Sequence, residues 1–218
     1  MKDLLPILLL TTTLLGGVTA AAYLGWRNWT RHKQQRILAE KRGWHYAVTG
    51  LPALWRRKLT ITGTTPTGVH WQLKQLRRYQ QAFFEWRTQD VTLPYGTLVL
   101  KPAHPAAPKR LLSNQTLRPY PVPSELWNSE FVLLVSHNSL GQRYFTAQTE
   151  YAMRKWPRWP TPGSLEEVIW NKNGLTVLGR SAAGWELLER LVTLGTIMAE
   201  QANTLEKMPQ QYGDTLTK

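Results

Sequence analysis

Five histidines and three aspartates, with no cysteine, are the groups from which acid–base, nucleophilic or metal chemistry would have to be assembled. A metal centre or a general acid–base pair needs such groups to converge. Asp3 and Asp214 lie near the two ends, which leaves Asp90 inside the chain. His32, His45, His70, His104 and His137 are scattered, with neither an H-E-x-x-H spacing nor paired ligands. Ser136 precedes His137 without a Gly-x-Ser-x-Gly elbow or a matched acid. The lack of cysteine excludes disulfides, thiolate nucleophiles, Cys-based zinc and a lipoprotein cysteine. No Gly-rich phosphate loop of the P-loop or Rossmann type is present. His70 and Glu85 could meet across neighbouring strands, although two solvent-facing polar residues are the plainer reading. These residues predict a non-enzymatic protein with no cofactor and no metal. An enzyme using Asp90 or His70 is kept as an alternative.

Charge carries more information. The chain of 218 residues has a formal charge of +13, and the excess is unevenly placed. From Arg27 to Arg78 there are twelve bases and one acid, Glu40. From Ser181 onward the balance reverses, with three bases against five acids. A basic half of this kind suits an anionic lipid surface or another polyanion. The contact residues expected are Arg27, Arg31, Lys33, Arg36, Arg56, Arg57, Lys58, Arg77 and Arg78. Bases interleave with aromatics at Trp55-Arg56-Arg57-Lys58 and at Lys74-Gln75-Leu76-Arg77-Arg78-Tyr79. That pattern also suits unpaired nucleobases, which stack on aromatic faces.

The stretch that precedes this basic half has no charge from Leu4 to Trp26, 23 residues in all. A bilayer core of about 30 Å needs roughly 20 apolar residues of helix, so the expectation is an N-terminal transmembrane helix over residues 1–26. Tyr23, Trp26 and Trp29 are placed to act as interfacial anchors. Gly17, Ala21 and Gly25 share one helix face and offer a close helix–helix contact, hence a homodimer through the anchor. The bases after Trp26 predict a single-pass bacterial inner-membrane protein with its body in the cytoplasm. The rival reading is a signal peptide cleaved near Ala20-Ala21-Ala22.

A basic juxtamembrane helix over 27–43 ends at Gly43, which is free to take the left-handed cap conformation. The body, over 44–205, is expected to be α+β, a mainly antiparallel sheet packed with two helices. Period-two alternation marks strands at 46–48, 59–63, 69–76 and 82–91. Val69, Trp71 and Leu73 fall on one face there, with Phe84 and Trp86 on one face of the next strand. Short apolar strands follow at 97–100 and 131–135. Between them six prolines from Pro102 to Pro123 predict a loop that cannot join a central strand. A helix is expected over 144–156. Asn171-Lys172-Asn173-Gly174 is the turn of a hairpin. Ser181 is the expected cap of a last helix running to about Leu205, with Leu188, Leu191, Gly195, Met198, Ala202 and Leu205 as its packing seam. Residues 206–218 form a flexible tail.

Gly43, Trp44 and Tyr46, then Leu93 and Pro94, Leu98 to Pro102 and Phe131 to Ser136, occur in an order that resembles a loose group of bacterial membrane-anchored proteins of uncharacterised activity. Asn138 stands where members of that group often carry an acid. The resemblance implies an α+β body at a membrane and supplies no catalytic residue. The leading expectation is therefore a membrane-anchored protein whose basic half contacts anionic lipid and whose body binds protein partners. A membrane-tethered nucleic-acid-binding module is the alternative.

Overall fold

The structure, a computed structural model, describes residues 4–49, 58–78, 81–104, 117–122, 130–182 and 184–207. The chain divides into two compact units, Met1–Trp44 and His45–Lys218.

The first unit is one helix, α1 (Leu4–Lys41). It ends as the sequence predicts. Gly43 adopts φ +72°, its N–H donates to Glu40 O at 3.0 Å, and Trp44 N–H donates to Ala39 O at 2.9 Å. This pairing satisfies carbonyls that the last turn would leave without donors.

The expected transmembrane anchor is corrected here. Among the described residues no helix is long and apolar enough to cross a membrane. The side chains of residues 4–11, which that expectation includes, lie outside the described residues. From Thr12 the uncharged run to Trp26 is 15 residues, and it holds three threonines and three glycines before Arg27. Those threonines and glycines dilute the apolar character of the described part of the helix. The single-pass, inner-membrane placement is corrected on the same ground.

The second unit is built on a nine-stranded antiparallel sheet, in the order β1-β2-β3-β4-β9-β8-β5-β7-β6. The strands are β1 (His45–Thr49), β2 (Lys58–Thr64), β3 (His70–Arg78), β4 (Gln81–Thr88), β5 (Leu98–Pro102), β6 (Arg118–Pro119), β7 (Phe131–Val135), β8 (Leu165–Asn171) and β9 (Gly174–Arg180). The helices are α2 (Asn138–Tyr144), α3 (Ala147–Met153) and α4 (Glu186–Lys207). Among the described residues the body thus has three helices where two were expected. The predicted helix over 144–156 breaks because Phe145 and Thr146 are both extended, which ends α2 and starts α3. The last helix begins at Glu186 rather than after Ser181, whose N–H is committed to Ala82 O at 2.9 Å.

The strand alternation follows the sequence. Val69, Trp71 and Leu73 are buried, as are Phe84 and Trp86. The seam of α4 covers this layer, with Leu188, Leu191, Met198 and Ala202 buried; the Leu205 side chain lies outside the described residues. Gly195 has no side chain for a clear reason. A Cβ there would fall within the indole of Trp86, which is wholly buried. Trp71 stacks beside Trp86 at 6.2 Å, and Tyr144 meets Trp170 edge-on at 4.8 Å.

Pro102 departs from expectation. It ends β5, which lies between β8 and β7. Pairing with β8 involves Leu98 to Leu100, so the donor that proline lacks falls beyond that ladder. Pro119 obeys the rule, in the short edge strand β6. The hairpin at Asn171–Gly174 forms as predicted, with Asn173 N–H donating to Asn171 Oδ1 at 2.8 Å.

Candidate functional site

Three arrangements carry polar or charged groups that could act. The first is the exposed surface of α1. Every residue from Thr12 to Arg27 is exposed. Tyr23 and Trp26 lie with ring centroids 6.5 Å apart. Lys33 Nζ sits 5.3 Å from the Trp29 ring centroid, and the Arg42 guanidinium sits 5.4 Å from that of Trp44. A ring face attracts a cation without cancelling its charge. Arg36 differs, because its Nε donates to Glu40 Oε1 at 2.7 Å. That hydrogen bond, then the carboxylate charge, pushes the Arg36 pKa up. Hence Arg36 offers less free positive charge than Lys33.

Of the remaining predicted contacts, the two whose side chains are described, Lys58 and Arg77, do not share a sheet face. The side chains of Arg31 and Arg78, and the whole of Arg56 and Arg57, lie outside the described residues. In the body, Lys58 and Arg77 are exposed. Lys58 shares a sheet face with Thr60, which pairs with Lys74, whereas Arg77 is three residues from Lys74 and falls on the other face. On α1, Gly17 and Gly25 have open space around them, and Ala21 between them is exposed.

The second arrangement joins His70 to Asp90. His70 Nδ1 is 3.1 Å from Asp90 Oδ2, and His70 N–H donates to the same oxygen at 2.7 Å. Thr88 Oγ1 donates to His70 O at 2.7 Å and accepts from Asp90 N–H at 3.1 Å. The His70 side chain is exposed, in line with the plainer reading, and the less favoured meeting with Glu85 is not what the register gives, since it sets Glu85 opposite Lys74. Asp90 takes its place because the chain turns back after β4. A carboxylate that orients a histidine is half of a nucleophile-activating set. Here the two side chains are 79% and 45% exposed, and the backbone bonds show them closing the turn at the start of β3.

The third arrangement escaped the sequence reading. Glu166 is buried, and its Oε1 accepts from Arg180 Nε at 2.7 Å, from a terminal Arg180 nitrogen at 2.6 Å and from Trp159 Nε1 at 3.2 Å. The Arg180 guanidinium sits 5.5 Å from the Trp159 ring centroid, and His104 lies 4.7 Å from that ring. The β8–β9 register shifts between Leu165 and Glu167, which leaves Glu166 as the extra residue of a bulge. Strict alternation therefore fails at Glu166, and alternation was the signal used. With Oε1 engaged by three donors, the pair holds the Trp159 loop to the hairpin. No group of three histidine, cysteine or acidic side chains suited to a metal occurs among the described residues.

No protein-family model matches the chain, and no curated protein sequence matches it. Among solved structures the chain is similar to the mycobacterial trehalose monomycolate transport factor A, TtfA. The TM-score is 0.47 at 9% identity, covering 81% of this chain and 94% of that one.

Proposed function

We propose that this is a non-enzymatic protein that works by contact, with the aromatic and basic side chains of α1 resting on an anionic lipid surface. The observation that supports this reading is the exposed Trp29–Lys33 pair, set between the exposed apolar residues up to Trp26 and the bases that follow. Aromatic rings favour the headgroup layer, and each base near an anionic surface contributes about 1 kcal/mol. The body supplies the surface for a protein partner. Its exposed aromatics Tyr95 and Tyr151 are of the type enriched at interfaces.

Co-sedimentation of the full chain with vesicles tests the reading. Vesicles with phosphatidylglycerol should retain the protein, and vesicles of phosphatidylcholine alone should retain far less. Changing Lys33, Arg36, Lys41 and Arg42 together to glutamine should remove most of that difference. Equal binding by the variant would refute the lipid role, and salt-sensitive binding to single-stranded nucleic acid instead would favour the polyanion alternative.

A further inference from the structure

We infer that the outer edge of β1 receives an extended segment of a partner protein, added to the sheet as a further strand, in which apolar residues alternate with acids. This surface is separate from α1 and from Tyr95 and Tyr151, and the inference gives the chemistry of a partner for the body.

The two edges of the sheet are treated differently. β6 is two residues long, and one of them is Pro119. Shortness and proline guard an edge against a foreign strand. β1 has neither guard. Its five residues keep unbroken register with β2 and include no proline, lysine, arginine or acid. Among the described residues β1 pairs with β2 alone, and His45, Val48 and Thr49 are exposed.

The direction of the backbone groups follows from the neighbouring hairpin. Thr65 N–H donates to Val69 O at 2.9 Å where β2 turns into β3. Backbone groups alternate in direction along a strand, so those of Gly63, Ile61 and Leu59 face β3, and those of Thr60 and Lys58 face β1. Thr60 and Lys58 stand opposite Ala47 and Thr49. The N–H and C=O of Val48, between those two, therefore point away from the sheet.

The partner's pattern follows from the two faces. Val48 stands opposite Leu59, on the face where Leu59, Ile61 and Leu73 are buried, so a residue added beside it should be apolar. Thr49 and Ala47 lie on the other face, in line with Lys58 and, through Thr60, with Lys74, both exposed. No acid occurs in β1, β2 or β3 to offset them. A residue added on that face is two strand spacings, about 10 Å, from Lys58, a gap that a glutamate and a lysine close between them. Main-chain bonds supply the affinity of such an addition, and alternate side chains supply the choice of partner. A second copy of β1 would bring no acid to these lysines.

The test uses the full chain and a capped, fluorophore-labelled peptide, Glu-Val-Glu-Val-Glu-Val-Glu, with binding read by anisotropy. The peptide should bind, and its isomer Glu-Glu-Glu-Glu-Val-Val-Val should bind far less. Val48→Pro removes the outward donor and no β1–β2 bond, so it should weaken binding about tenfold. Lys58→Glu with Lys74→Glu should transfer the preference to Lys-Val-Lys-Val-Lys-Val-Lys, and this variant decides the matter if Val48→Pro unfolds the chain. No binding by the parent, equal binding of the two isomers, or binding that neither variant diminishes would overturn the inference. A parent dimer in sedimentation that Val48→Pro dissociates would overturn it too, by placing a second copy on the edge.

Discussion

Helices α1 and α4 both carry many apolar residues, yet they treat them in opposite ways. In α4 these residues recur at steps of three and four, so they form one stripe, and Leu188, Leu191 and Met198 on it are wholly buried. In α1 they run consecutively and form no stripe, and Leu15 and Val18 are 70% and 67% exposed. The same contrast holds for glycine. Gly195 exists because Trp86 occupies the space of its Cβ, whereas Gly17 and Gly25 face nothing within 4 Å. It holds for charge as well. The body buries Glu166 against Arg180, while α1 displays Lys33 over an exposed ring. Spacing, rather than apolar content, decides whether a helix packs against its own chain.

The largest effect should come from breaking the compensated charge of the body. Arg180→Ala leaves the Glu166 carboxylate buried without its cation, and such losses are about 3–5 kcal/mol. Urea unfolding of the full chain should show a correspondingly lower midpoint. Replacing both partners, with Glu166→Leu and Arg180→Met, should recover much of the loss, because an apolar pair has no charge to desolvate. If the single variant unfolds like the parent, the pair does not hold the Trp159 loop. Next in size is Gly195→Ala. Its methyl group must displace Trp86 or shift α4, and overpacking of this kind costs about 1–3 kcal/mol. An unchanged midpoint would show that the α4–sheet contact is looser than the Trp86 approach indicates.

How far the sequence revealed this arrangement depends on how local each signal is. Period-two strands, the Gly43 stop and the Asn171–Gly174 turn depend on neighbouring residues, and all three are where the pattern puts them. The order of strands, which brings β9 beside β4, depends on distant pairing and left no mark. The split between α2 and α3 was hidden because Phe145 and Thr146 do not disfavour a helix strongly. Of the polar sites, His70 was read as a solvent-facing residue, with Glu85 only as a less favoured partner. Strand spacing gave Glu85, while the turn after β4 supplies Asp90. Glu166 was missed because a bulge breaks the alternation that would have sorted it. The anchor expectation rested on the missing charge, the length and the dominance of leucine, isoleucine, alanine and glycine; it gave no weight to the threonines in the described run from Thr12, and it counted the glycines in its favour.

Smaller effects are expected in the section of α1 from Thr12 to Arg27, where every side chain is exposed. Gly17→Ala and Gly25→Ala should raise helix stability by up to about 1 kcal/mol each, since alanine restricts the unfolded chain and strikes nothing here. Circular dichroism during heating would register the gain. A loss of stability instead would reveal a close contact on that face, as a second copy of the helix would make.

The finest separation is between two bases three positions apart. Lys33 lies over Trp29, and Arg36 is bonded to Glu40. Lys33→Gln removes a charge that no acidic side chain among the described residues pairs with, so partition onto phosphatidylglycerol vesicles should fall about fivefold, the equivalent of about 1 kcal/mol. Arg36→Gln removes a charge already balanced by its neighbour and releases Glu40, so part of any loss should return in the double variant Arg36→Gln with Glu40→Gln. Both bases are exposed, so added salt should shrink each difference. Equal losses at Lys33 and Arg36, with no recovery in the double variant, would mean that the surface reads total charge alone. A larger loss at Lys33 that recurs in Trp29→Leu would show that the ring and the cation are read together.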